Sequence, residues 1–213
     1  MCKFLFFGVI LVSSSFALTL ERVRAELKTN TITSDSVEMG IKTTVSSSLV
    51  PSSQSVMVYL VRKSTSKVFA EIKMPISNQR IIINGNKMKT IDLNTREFQI
   101  IPYNGETLKA MSYANFNPLD SGEWAEPKFV LENLYSIKGD KGTLFYNSKK
   151  KRIEKMESEE SDKSVLTEFT YDAENNLKTM SVYVSTQGVE TKILTEILKL
   201  RHSRDFPDKL FEF

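Results

Sequence analysis

VMVYLVRKSTSKVFAEIKMPISNQRIIINGNKMKTIDLNTREFQIIP, residues 56–102, reads as five or six short strands in immediate succession. Val68, Ala70, Ile72 and Met74 alternate with Phe69, Glu71 and Lys73, the period-two pattern of a half-buried strand. Ile81, Ile82 and Ile83 run into Asn84-Gly85, a strong short-range hairpin signal because the turn needs residues that tolerate positive φ. A strand over residues 88–93 follows, then another over 98–101 beyond Asn94-Thr95-Arg96. Such a meander makes one large antiparallel sheet, and what covers its apolar face decides the function.

The chain carries an export address. Lys3 precedes an apolar run over residues 4–12, and Ser13-Ser14-Ser15-Phe16-Ala17 follows, with Ser15 and Ala17 in the small-residue positions before a cleavage point. That is the layout of a secretory signal peptide, too short to span a bilayer, so residues 1–17 are expected to be removed after Ala17. The sole cysteine, Cys2, lies in that segment with only Met1 ahead of it, so the protein is not itself expected to be a lipoprotein. A mature chain without cysteine fits a bacterial periplasm better than a eukaryotic secreted scaffold. The formal net charge of +3 falls by one with Lys3, which gives no electrostatic case for nucleic acid. Residues 18–213 are long enough for one domain with a sizeable core.

Outward from the meander, residues 20–28 place Leu20, Val23 and Leu27 on one helical stripe with Thr19 as N-cap. Residues 35–45 alternate as a first strand, and residues 46–55, with Pro51 and six serines, read as a loop. From 104 to 139 the period changes. Leu108 and Met111 stand three apart, Asn117 to Gly122 is a turn cluster, and Pro127 opens a helical stripe of Val130, Leu131 and Leu134 that Gly139 closes. Strands resume over 143–147, 152–157, 165–171 and 177–184. Residues 189–201 favour a strand by their β-branched content, and Leu210 to Phe213 alternate like a closing edge strand.

Catalytic signals are absent, so no enzyme is expected and no catalytic residue is assigned. His202 is the only histidine, set among Arg201, Ser203 and Arg204 as a solvated side chain would be. No nucleophile elbow, phosphate loop or HExxH pattern occurs. Without a mature cysteine and with one histidine, no metal site and no cofactor are expected. Lys149 to Arg152, and Glu157, Glu159, Glu160 and Asp162, read as solvated hairpin tips of opposite sign.

Together these features resemble the LolA family of periplasmic carriers for outer-membrane lipoproteins. The resemblance rests on the signal peptide, the single helix, and a long strand with a basic end (YLVRK, residues 59–63). It rests also on the strand KVFAEIKMP (67–75), the Asn-Gly hairpin, the helical insert and the ending DFPDKLFEF (205–213). Where the family's basic pair is followed by proline, this chain has Ser64. The resemblance implies a mainly β fold: a strongly curved antiparallel sheet of about eleven strands forming an unclosed β-barrel, capped by short helices. It implies a monomer whose partners are acylated lipoproteins, an inner-membrane ABC transporter of the LolCDE type and an outer-membrane acceptor.

On that basis the cavity lining is expected from Val58, Leu60, Val68, Ala70, Ile72, Ile81, Ile83, Ile91, Leu93, Phe98 and Ile100. Leu108, Met111, Leu131 and Leu134 would cover it, and Arg62 or Lys63 would stand at the hand-off rim. Two other readings stay open: a periplasmic lipid sensor on the same fold, and an envelope-interaction protein whose sheet is filled by its own side chains.

Overall fold

The computed structural model describes residues 18–29, 36–105, 117–120, 122–202 and 205–213. Thirteen antiparallel strands form one sheet. They are β1 (Val37–Ser47), β2 (Val50–Ser64), β3 (Lys67–Lys73), β4 (Asn78–Asn84), β5 (Lys87–Asp92), β6 (Phe98–Pro102), β7 (Lys128–Leu131), β8 (Leu134–Gly139), β9 (Gly142–Asn147), β10 (Arg152–Glu160), β11 (Lys163–Tyr171), β12 (Leu177–Thr186) and β13 (Val189–His202). Their spatial order is β6-β5-β4-β3-β2-β1-β13-β12-β11-β10-β9-β8-β7, so two meanders join along β1 and β13. Among the described residues β6 and β7 remain as two unpaired edges, which makes an unclosed barrel as expected, with thirteen strands rather than eleven.

Among the described residues one α-helix, α1 (Leu20–Thr29), lies against the second meander. Thr19 caps it, its Oγ1 accepting from the Arg22 amide at 3.2 Å. Glu126 adds a carboxylate at the same end, accepting from the Leu20 amide at 2.9 Å, where the helix dipole favours negative charge. Leu20 and Val23 are buried among Leu119, Ile137, Leu144, Tyr146, Ile153 and Phe169. We call the face that carries α1 the inner face. Strand pairing carries it through Phe169, Met180 and Thr195 to Thr43, two residues along β1 from Ile41, so the apolar surface of the first meander is continuous with it.

The opposite, outer face has its own small core. Val61, Phe69 and Ile82 are covered by Phe211, which is fully buried, with Phe206 and Leu210 beside it. The tail is therefore not the expected edge strand. Pro207 leads into a 3-10 turn over Asp208–Phe211 that folds Phe211 onto the sheet. Lys63 ties it down from Nζ, with Asp208 Oδ1 at 3.0 Å, Asp205 Oδ1 at 3.3 Å and the Phe206 carbonyl at 2.9 Å. Such exposed pairs fix position more than they stabilise; burial of Phe211 carries the energy, on the order of 1.5–3 kcal/mol.

Two further expectations are corrected. Residues 46–55 are no loop but the continuation of β1 and β2, which turn at Ser48 and Leu49. Residues 127–139 are no helix but the β7–β8 hairpin, whose turn holds Glu132 at φ 39°. Gly139 does not cap a helix. It leaves room for the Trp124 ring, which a Cβ there would meet at 2.4 Å.

The β1–β13 seam is stapled on the outer face by a buried carboxylate. Glu38 accepts from Tyr59 Oη at 2.7 Å and from Lys199 Nζ at 2.5 Å, with Arg201 at 3.8 Å. The hydrogen bonds from Lys199 and Tyr59 hold the Glu38 carboxyl below its ordinary value of 4.5 despite its burial. Burial, and then Glu38, push the Tyr59 hydroxyl up to about 12. The carboxylate thus stabilises the fold above its ordinary pKa, and that part is lost as pH falls through the lowered value. The neutral tyrosine contributes below pH 10, and its part is lost as pH rises towards about 12. Glu38→Gln is expected to cost about 1–3 kcal/mol at neutral pH, because hydrogen bonds to a charged acceptor are lost. Urea melts across the acid range should show a smaller loss of stability in this variant than in the parent. An equal loss would mean that Glu38 does not act through its charge.

Candidate functional site

Pairing fixes which side chains share the inner face. One row crosses seven strands: His202, Val37, Arg62, Val68, Ile83, Met88 and Ile101. The next row carries Met39, Leu60, Ala70 and Ile81, and the one after it Ile41, Val58 and Ile72. Met39, Ile41, Leu60, Val68, Ala70 and Ile83 are buried as one cluster, with Val58, Ile81, Met88, Tyr103 and Leu200 half-buried against it. Burial fades along the strands away from the His202 row: Val68 and Ile83 are 1% exposed, whereas Ile72 and Ile81 keep some solvent contact.

Of the residues expected to line a cavity, Val58, Leu60, Val68, Ala70, Ile72, Ile81 and Ile83 share this surface. Ile91, Phe98 and Ile100 lie on the outer face. Ile91 pairs with Phe98 and packs beside the Phe211 cluster, while Lys89 Nζ lies 4.6 Å from the Phe98 ring centre. Leu93 follows the end of β5 and donates its amide to the Asn78 carbonyl at 2.8 Å. Leu131 is exposed on edge strand β7 and Leu134 opens β8, so neither is part of a helical cover. Leu108 and Met111 lie outside the described residues.

The basic pair divides between the two faces. Lys63 is committed to the C-terminal tail on the outer face. Arg62 stands in the inner row between Val37 and Val68, so it is the member of the pair that meets the apolar surface. His202 was expected in solvent, yet both its ring nitrogens are buried, and burial pushes its imidazole below the ordinary 6.5. Met39, Ile41, Met88 and Tyr103 belong to the surface although the sequence reading passed them over. For Met88 the signal was present: across a two-residue turn, odd positions on β4 share a face with even positions on β5.

A concavity of about 670 Å3 lies elsewhere, at the far ends of β1 and β10 to β13. Its lining is mixed: Val165, Leu166, Tyr183 and Val184 stand beside Ser47, Ser158, Thr191 and Glu190. Among the described residues no group of three or more His, Cys, Asp or Glu side chains is placed to hold a metal.

No protein-family model and no curated protein matches the sequence. Solved structures do. A LolA superfamily protein from Nitrosomonas europaea matches over 92% of this chain and 99% of its own, with TM-score 0.54 and 14% identity. The chain has a LolA-like fold. An outer membrane lipoprotein-sorting protein domain from Vibrio parahaemolyticus matches over 89% of this chain and 94% of its own, with TM-score 0.49 and 10% identity. A DUF1329 family protein from Desulfovibrio piger matches over 89% and 97%, with TM-score 0.46 and 13% identity. Within this LolA-like fold, the inner apolar surface occupies the first meander and α1 occupies the second.

Proposed function

We propose that this protein is a non-catalytic periplasmic carrier that shelters the acyl chains of lipoproteins on its inner face. The observation that carries the reading is the apolar inner face over β1 to β5, where Val58, Ile72, Ile81 and Met88 keep solvent contact beside the buried cluster of Met39, Leu60 and Ala70. A sixteen-carbon chain gains roughly 12 kcal/mol on leaving water, at about 0.8 kcal/mol per methylene. A carrier must offer comparable shelter, since otherwise the chain stays in the bilayer. Transfer between bilayer and protein is then close to neutral, which permits both loading and release. The export signal and the LolA-like fold support a route from an inner-membrane ABC transporter to an outer-membrane acceptor. Arg62, in the inner row, is the residue we assign to hand-off.

The test is depletion in the native host together with lipid mass spectrometry of protein purified from the periplasm. Bound acyl lipid, and lipoproteins accumulating at the inner membrane on depletion, are the expected results. Protein that carries lipid while lipoprotein sorting continues unchanged would leave a sensor and remove the carrier. Protein free of lipid, and unable to take up a fluorescent hydrocarbon, would remove both.

A further inference from the structure

Two polar groups on the inner face are buried without a hydrogen-bond partner among the described residues: the Tyr103 hydroxyl and both ring nitrogens of His202. Both belong to the apolar surface. Tyr103 follows β6 and packs against the cluster of Met39, Leu60, Val68 and Ile83. His202 stands two residues beyond Leu200 on β13, in one row with Val37, Arg62 and Val68. Buried polar groups are nearly always satisfied, and each exception calls for an explanation such as a ligand. Hydrocarbon cannot supply a partner. The aliphatic side chains of the cluster cannot either.

We infer that Tyr103 and His202 bind the polar head of an acyl ligand, one that offers a carbonyl oxygen together with a hydroxyl or amide N–H. The inventory of the two side chains dictates that class. A tyrosine hydroxyl donates one hydrogen bond; a neutral imidazole donates from one nitrogen and accepts at the other. A partner of the imidazole must therefore both accept and donate, and a partner of the tyrosine hydroxyl must accept. An ester or amide carbonyl beside a free hydroxyl or N–H does so, whereas a bare hydrocarbon does neither. Burial disfavours the charged imidazole, so the neutral form this pairing needs is the favoured one. The inference rests on the carrier reading and specifies its ligand.

The test uses the exported full-length protein, stripped of lipid, with two probes. Diphenylhexatriene is purely apolar, and monooleoylglycerol adds an ester carbonyl and hydroxyls. Tyr103→Phe and His202→Phe are each expected to weaken monooleoylglycerol about five- to tenfold, the loss of one hydrogen bond, with diphenylhexatriene changed less than twofold. His202→Gln keeps a donor and an acceptor and should retain most of the affinity. Should His202→Phe fail to fold, Tyr103→Phe, which removes one oxygen atom, decides alone. Equal weakening of both probes, or of neither, overturns the inference while the carrier reading stands. A parent protein that binds neither probe overturns both.

Discussion

Ile81→Asp is expected to leave the protein folded but unable to hold an acyl ligand, whereas Ile83→Asp is expected to prevent folding. The two residues stand two apart on β4 and point to the same inner face. Ile83 is 1% exposed and sits between Val68 and Met88, so a carboxylate there would lose its water with no cation opposite it in the ladder. Burying an uncompensated charge costs several kcal/mol even after its pKa shifts, against a total stability of about 5–15 kcal/mol. Ile81 pairs with Ala70 one row further from the His202 end and keeps partial solvent contact. Its carboxylate remains hydrated in the unloaded protein and would be dehydrated only when hydrocarbon covers it. Thermal melts followed by circular dichroism, paired with diphenylhexatriene titration, separate the outcomes. If both variants unfold, Ile81 is packed core. If Ile81→Asp binds as the parent does, the ligand lies elsewhere.

The same strand shows how far the sequence could be read. Ile81, Ile82 and Ile83 before Asn84-Gly85 marked the hairpin correctly, although the ladder closes at Asn84 and Lys87, which puts Gly85 at φ 64° and Asn86 in the turn. The face assignment beyond that turn went wrong by parity. Ile91, Phe98 and Ile100 are as apolar as Ile81, but a two-residue loop pairs odd positions with even ones and turns them to the outer face. A one-residue error of this kind exchanges the faces of a whole strand. Hydrophobicity alone could not reveal it, because the outer face has an apolar patch of its own beneath Phe211.

Other misreadings have equally local causes. Leu131 and Leu134 are three apart because they flank the Glu132-Asn133 turn, and that spacing is also the spacing of one helix face. The serine-rich start of β2 lacks alternation because residues 50–56 pair only with β1 and bury little, so the ladder rather than a core makes them a strand. Pro51 is tolerated there, since that part of β2 has a free side. For the candidate site, the aliphatic alternation of β2 to β4 was legible, while the burial of His202 was not. It depends on β13 returning to pair with β1, a contact across 165 residues of sequence, from Val37 to His202.

Tyr146→Ala should cost about 3–5 kcal/mol, and Tyr146→Phe about 1.5–3 kcal/mol with a distinctive pH dependence. Tyr146 is fully buried on β9, and its hydroxyl donates to Glu26 of α1. A ten-residue helix is marginal on its own in water, so docking rather than propensity keeps α1 formed. Val23 and Leu20 supply the apolar part of that docking, and the Tyr146–Glu26 bond fixes its rotation. Burial alone would raise the Glu26 carboxyl, but hydrogen bonds from Tyr146 and Arg22 leave it below its ordinary 4.5. A lowered carboxylate stabilises the fold above its unfolded pKa and ceases to do so as pH falls through the folded value. The gap between parent and Tyr146→Phe should therefore be widest near neutral pH and narrow as pH falls below 4.5 through the lowered folded value. Tyr146→Ala should remain the weaker protein at every pH, since it also leaves a cavity under α1. Guanidinium melts at pH 7 and pH 3.5 measure both gaps. A Phe variant equally destabilised at the two values would mean that the helix is held by the ring alone and that the Glu26 charge has no part in it.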